Sequence, residues 1–280
     1  MRRKLNLKIT NIEELKQISN NIRVDIIKQV YEAKSGHPGG ALSIADILAV
    51  LYFNQMNIDE KNPKSPLRDR LVLSKGHCSA ALYGVLAERG FFDKNELIGF
   101  RKIDSDFQGH PDMNKVPGVD MTTGSLGQGL SVANGMAICS KMNHDGYRVY
   151  CILGDGELEE GQVWEAAMTS NKYHLDNLCA IIDYNGLQID GEIKKVKDLD
   201  VIEGKLKNFG FNVINIDGNN IEQIIDAFES AKMCKGKPTA IIAKTIKGKG
   251  ISFMENNVEW HGKAPNDEEY NQAMKELGVM

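Results

Sequence analysis

No apolar run in these 280 residues reaches the length of a membrane-spanning helix, and only 7% of the residues are aromatic. No membrane partner is expected from such a chain. Basic residues are not in excess either: 34 Lys and Arg stand against 38 Asp and Glu, a formal charge of −4. A general nucleic-acid binder would normally show the opposite balance. The runs Lys194-Lys195 and Lys244 to Lys249 are short and local. Cysteine is scarce, odd in number and without C-x-x-C spacing (Cys78, Cys139, Cys151, Cys179, Cys234), which argues against a disulfide scaffold or a zinc ribbon. Most of these thiols sit in apolar runs and read as reduced core residues of a cytoplasmic protein. The start, MRRKLNLKIT, is basic but leads into an acidic amphipathic segment, so it does not read as a secretory signal. No G-x-x-x-x-G-K-[ST] occurs, which removes the P-loop. No repeat, low-complexity tract or linker interrupts the chain, and residues 1–280 read as one domain.

A hydrophobic fraction of 42% and a charged fraction of 26% are ordinary for a globular protein of a size that buries a full core. Helical patterns alternate with short apolar runs rich in branched residues, the pattern of an α/β fold with a parallel sheet flanked by helices on both faces. Thr10-x-x-Glu13 reads as a capping box, and Ile12, Leu15, Ile18, Ile22 and Ile26 give the spacing of a helix running to about Ala33. Further helices fit Ser43 to Asn54, Ser79 to Glu88 and Leu126 to Met142, and the charged end NDEEYNQAMKELGVM reads as a closing amphipathic helix. A proline-marked loop, Asn62 to Pro66, precedes the strand RLVLS, and the later strands are RVYCILG, LCAIID, FNVINID and TAIIAKT.

The second of these strands ends in GDGELEEG, residues 154–161, with VWEAAMTSNKYHL continuing as a helix. Carboxyl ends of parallel strands are where open α/β sheets bind ligands, and a helix amino end there suits a phosphate. Asp155 would repel that anion unless a cation such as Mg²⁺ lay between them. Asn185 follows the next strand, 30 positions on, and neighbouring strands about 4.8 Å apart would let both side chains share one metal. A dinucleotide-binding turn is the rival reading. Its third glycine fails, because Glu159 stands there. Four of the six histidines lie beside glycine in polar loops where packing alone asks for little: His37 in SGHPGG, His77 in SKGHCSA, His110 in QGHPD and His261 in EWHGKAP. His144 and His174 sit at helix ends and receive no role.

Taken in order, SGHPGG, GHPD, TTGSLGQGLSVANGMA, GDGELEEGQVWEAAM through DYNGLQIDG, and VEWHGKAP resemble the amino-terminal part of transketolases over essentially the whole chain. The resemblance implies the diphosphate-binding domain of a thiamine-diphosphate enzyme. It implies Mg²⁺ (with Ca²⁺ or Mn²⁺ as substitutes) held by Asp155, Asn185 and the Leu187 carbonyl. Gly154, Gly156 and Glu157 would approach the diphosphate, while Gly124, Ser125 and Leu126 would offer backbone to the aminopyrimidine. His77 and His261 would contact the cofactor, His37 and His261 would face the reacting hydroxyls, and His110 would bind the donor's C1 hydroxyl. The activity implied is transfer of a two-carbon ketol group from a ketose phosphate to an aldose phosphate. Tyr184-Asn185 departs from the paired asparagines of many thiamine enzymes but keeps the ligand position. The family's pyrimidine-binding domain, with its activating glutamate, and its third domain have no match here. The implied partner is therefore a complementary C-terminal subunit in an α2β2 assembly, in which Glu160 would meet that glutamate. One alternative is part of a deoxyxylulose-phosphate synthase-like or 2-oxo acid enzyme, against which SGHPGG with WHGKAP weighs. Another is a non-catalytic cofactor-binding homologue, against which the four intact histidines weigh.

Overall fold

Branched residues in the apolar runs favour extended backbone, and all five runs form strands in the computed structural model, which describes residues 8–199 and 201–279. The basic start of the chain, residues 1–7, and the last residue of the closing segment lie outside the described residues. The strands are β1 (Arg70–Leu73), β2 (Val149–Gly154) and β3 (Leu178–Tyr184), then a two-stranded hairpin of β4 (Leu187–Gln188) and β5 (Gly191–Glu192), then β6 (Asn212–Asp217) and β7 (Thr239–Lys244). Five of them make one parallel sheet in the order β1-β2-β3-β7-β6.

Alternate residues of each central strand enter two separate cores. Leu71, Leu73, Tyr150, Ile152, Cys179, Ile181, Ile241 and Ala243 join one. Val72, Cys151, Leu153, Ala180, Ile182, Ala240 and Ile242 join the other. Burial on both faces explains why these strands read as unbroken apolar runs instead of alternating ones. The helices are α1 (Ile12–Ala33), α2 (Pro38–Leu42), α3 (Ala45–Val50), α4 (Ser79–Arg89), α5 (Gly129–Met142), α6 (Gly161–Lys172), α7 (Ile193–Val196), α8 (Ile202–Asn208), α9 (Ile221–Met233) and α10 (Asp267–Glu276). The first core takes residues of α1 to α4, α9 and α10, and the second takes residues of α5 to α8. No described helix is long and apolar enough to cross a membrane.

Local chemistry moves several boundaries from their expected places. Asn11, not Thr10, caps α1: its side-chain oxygen accepts from the backbone N–H of Glu13 and Glu14 at 2.9 and 3.3 Å. The helix expected over Ser43–Asn54 begins earlier, with Pro38 in the first turn of α2, and breaks before α3. At that break the Ser43 hydroxyl donates to Asp183 at 2.7 Å. α5 starts at Gly129, three residues after the expected Leu126. His144 and His174 both follow helix ends in left-handed backbone. All five cysteines are free. Cys78, Cys151 and Cys179 are buried as expected, whereas Cys139 is exposed and Cys234 half-buried.

α1 carries an acid in the wrong environment. Asp25 is buried, with Lys94 Nζ 3.0 Å from Oδ1 and no hydrogen-bond partner for Oδ2 among the described residues. Burial raises its pKa from 3.8 to about 7, although Lys94 opposes the shift. Between these two values the folded chain holds a proton that the unfolded chain has released, so Asp25 subtracts stability as pH rises through that window. The advantage of Asp25→Asn over the parent should therefore grow by about 3 kcal/mol between roughly pH 4.5 and 8. Urea unfolding of both proteins at the two pH values measures it. A difference that stays level with pH would contradict the assignment.

Candidate active site

The chain leaving β1 or β7 turns toward the first core and the chain leaving β2 or β3 toward the second, so a crevice opens at the carboxyl edge of the sheet. It holds a cavity of about 300 Å³. Asp155 lies one residue beyond β2 and Asn185 one beyond β3. The register pairing Gly154 with Asp183 makes them neighbours, as the spacing of the two motifs predicts. Asp155 is 2% exposed; its carboxylate accepts from Gly186 N at 2.6 Å and Gly156 N at 2.9 Å. Burial, then the charge of Asp183, pushes its pKa up to about 7 despite those bonds.

Asp183 is the hub beneath. It is fully buried, and its Oδ2 accepts from Lys75 Nζ at 2.5 Å, Ser43 Oγ at 2.7 Å and Asn185 Nδ2 at 3.0 Å, while Oδ1 accepts from Thr245 Oγ1. Burial alone would raise its pKa, but Lys75 and these bonds hold it below the usual carboxylate range. The bond from Asn185 Nδ2 settles which end of that amide faces away, leaving Oδ1 to accept from Leu187 N at 3.2 Å. Lys75 is hydrogen-bonded to Asp183 and to the Gly40 carbonyl (2.7 Å), and its charge only partly offsets the rise at Asp155.

A divalent metal fits this arrangement. Asp155 supplies a buried carboxylate short of a counter-charge, and Asn185 and the Leu187 carbonyl supply two more hard oxygens lining the same cavity. Among the described residues no three His, Cys, Asp or Glu side chains gather as a metal cluster, so the donor set is of mixed kind. An anion fits beside it: Lys247, 2% exposed, lines the cavity, and its Nζ lies 3.2 Å from the Leu187 carbonyl and 2.9 Å from His261 Nδ1. Burial, then repulsion from Lys75, lowers its pKa.

Three imidazoles form the opposite wall. The rings of His37, His77 and His261 lie 5.2 to 5.6 Å apart in all three pairings. Burial is the largest cause of their low pKa values: about 4 for His37, where His77 and Arg101 add to it, about 4 for His77, where Lys75 adds to it, and about 3 for His261, where Lys247 adds to it. All three are neutral near pH 7 and can give or accept hydrogen bonds without bringing charge into the cavity.

Of the residues expected at the site, His37, His77, Gly124, Leu126, Gly154, Asp155, Gly156, Glu157, Asn185, Leu187 and His261 line this one cavity. His110 stands exposed nearby, its ring over Gly124, and burial followed by the His77 charge lowers its pKa. Ser125 faces an adjacent groove, and Glu160 is exposed before α6, against Gly127; neither lines the cavity. Glu157 is turned inward: its carboxylate accepts from Ser74 Oγ, Gly127 N (2.8 Å) and Gly154 N (3.0 Å), tying three loops together. At Gly156, Gln188 fills the space a β-carbon would need, with Oε1 2.6 Å from that position, so glycine there admits the β4–β5 hairpin. Sequence reasoning gave no site role to Lys75, Lys247 or Asp183. Their signal was a charged residue in or just after an apolar strand run, where a solvated loop is the ordinary reading.

The family profile described as transketolase, thiamine diphosphate binding domain, matches residues 14–280. The chain is 45% identical over 264 residues to the 6-deoxy-6-sulfo-D-fructose transketolase subunit SqwG of Clostridium sp. (strain MSTE9), covering 94% of this chain and 96% of that protein. It is 42% identical over 266 residues to one subunit of the apulose-4-phosphate transketolase of Phocaeicola vulgatus, covering 95% and 94%. Against the transketolase of Homo sapiens it is 46% identical over 253 residues, covering 90% of this chain but only 40% of that protein. The crystal structure of Campylobacter jejuni transketolase superposes with a TM-score of 0.90 at 36% identity, covering 96% of this chain and 43% of that one.

Proposed function

This chain belongs to the transketolase family through its thiamine diphosphate binding domain, and from that premise we propose that it is the N-terminal, diphosphate-binding subunit of a split transketolase. The reaction is transfer of a two-carbon ketol group from a ketose phosphate to an aldose phosphate. The observation that carries this reading is the single cavity in which three oxygen donors, a buried lysine and three neutral imidazoles converge.

Asp155, Asn185 and the Leu187 carbonyl would hold Mg²⁺, and Lys247, which lines the same cavity, would offset the charge of a diphosphate. Thiamine diphosphate, when bound, supplies the carbon nucleophile and electron sink that breaking a ketose C–C bond requires. Everything else falls to side chains. His37 and His261 hydrogen-bond the sugar hydroxyls, and His110 reaches the donor's C1 hydroxyl from the rim. Their depressed pKa values keep them neutral near pH 7, so they meet the sugar as hydrogen-bonding groups and not as fixed charges. The partner is a C-terminal subunit with the pyrimidine-binding domain and activating glutamate, meeting the loop at Gly124 to Gly129 and Glu160. Two copies of each chain form a closed heterotetramer.

His110→Ala and His261→Ala in the reconstituted complex should retain cofactor and lose about 10²–10⁴ in turnover, because bonds to the reacting sugar act after the cofactor is seated. Steady-state kinetics beside calorimetric cofactor titration separates the two effects. Unchanged turnover at both positions would remove these histidines from the reaction.

A further inference from the structure

We infer that Arg101 is a positioning residue that holds His37 in one neutral form, with its proton on Nε2, so that His37 is a standing hydrogen-bond donor to a substrate oxygen. The substrate clause rests on the proposed function, whereas the state of the ring does not. Arg101 Nη2 lies 3.3 Å from His37 Nδ1. A guanidinium has donors only and does not deprotonate in proteins, so Nδ1 must offer its lone pair. A neutral imidazole with Nδ1 bare carries its one proton on Nε2.

The surroundings of Arg101 are built for this contact. Its backbone is left-handed (φ 59°), uncommon for a residue with a side chain, and its N–H donates to the Phe107 carbonyl at 2.8 Å. The guanidinium lies flat against Gly109, where a β-carbon would stand 2.6 Å from Cζ and 2.7 Å from Nη2. Nη1 donates to Ser35 Oγ at 3.3 Å, and Nε–H has no acceptor among the described residues, so the side chain's hydrogen bonds are to Ser35 and His37 alone. Strained backbone, a neighbour without a side chain and a half-spent guanidinium together hold one donor on one ring nitrogen.

His77, His110, His261, Lys247 and Arg101 are the titratable or charged groups acting on His37, and each disfavours the imidazolium or is itself neutral. The arrangement repeats on the same wall, where Lys247 Nζ lies 2.9 Å from His261 Nδ1. His37 thereby contributes a donor that does not switch with pH in the neutral range, and proton transfer falls to other groups.

Long-range proton–nitrogen spectra of the ¹⁵N-labelled chain, with His37→Gln assigning the signal, read the ring directly. The parent should show Nε2 protonated and Nδ1 bare from roughly pH 5 to 8. In Arg101→Met, His37 should become a mixture of tautomers, its pKa rising only in part because burial, the largest cause of the depression, remains, with Arg101→Lys intermediate. Gly109→Ala, which displaces the guanidinium without altering it, should reproduce the change. In the reconstituted complex Arg101→Met should lower kcat/KM about 10-fold with cofactor affinity retained. A parent ring protonated on Nδ1, or an unchanged spectrum in both Arg101→Met and Gly109→Ala, overturns the inference. Failure of the parent complex to bind cofactor would overturn the proposed function and leave the ring assignment standing.

Discussion

Purified alone, this chain should show no transketolase activity, at least about 10³-fold below the complex, and activity should appear on mixing with its complementary chain. The chain spans two fifths of the human transketolase it matches but nearly all of two relatives named as subunits. The surface around the cavity points the same way. Ser125 faces an outer groove, Leu126 is 38% exposed at the cavity wall, and Glu160 projects into solvent. Mixing the two purified chains and measuring ketol transfer tests this. Full specific activity from this chain alone, shown pure by mass spectrometry, would refute the split enzyme.

Asp155→Ala should abolish Mg²⁺-dependent cofactor binding, weakening it at least about 100-fold, and Asn185→Ala should do nearly the same. Asp155 is a buried acid whose ionised form is disfavoured by burial and by the Asp183 charge, more than its hydrogen bonds and Lys75 offset. A divalent cation relieves that deficit, so removing the carboxylate removes the reason for the metal to bind. The fold should survive, because both residues lie beyond the ends of β2 and β3 and outside the two cores. Calorimetric titration of the complex, with thermal unfolding with and without Mg²⁺ and cofactor, measures both claims, since ligand binding to the folded state alone raises its stability. Parent-like affinity in either variant would sink the metal-site assignment. A collapsed unfolding transition in both would show that these residues serve the fold instead.

Much of this architecture is local and therefore legible in the sequence. Branched apolar runs made strands in all five places; β1, β2, β3 and β7 are buried on both faces and leave no polar alternation to obscure them, while the edge strand β6 has no fully buried residue. Asp155 and Asn185 could be paired in advance because β2 and β3 are consecutive, joined through α6, and consecutive parallel strands usually lie side by side. Helix starts were less legible. Asn11 and Thr10 are both good caps, and which one is used depends on where the first turn docks.

Tertiary structure alone decided the rest, for reasons of distance and desolvation. β7 enters the sheet between β3 and β6, which carries Thr245 and Lys247 to Asp183 and Leu187 across some sixty positions of sequence. No spacing rule announces that insertion. The turning of Glu157 inward and of Glu160 outward depends on how the loop 124–129 packs, not on their shared acidity. Above all, the sequence could place four histidines beside glycines, but only burial together with Lys75, Lys247 and Arg101 made three of them a neutral wall. A side chain's identity is written in the chain, while its charge state is set by the water it loses and the charges it meets on folding.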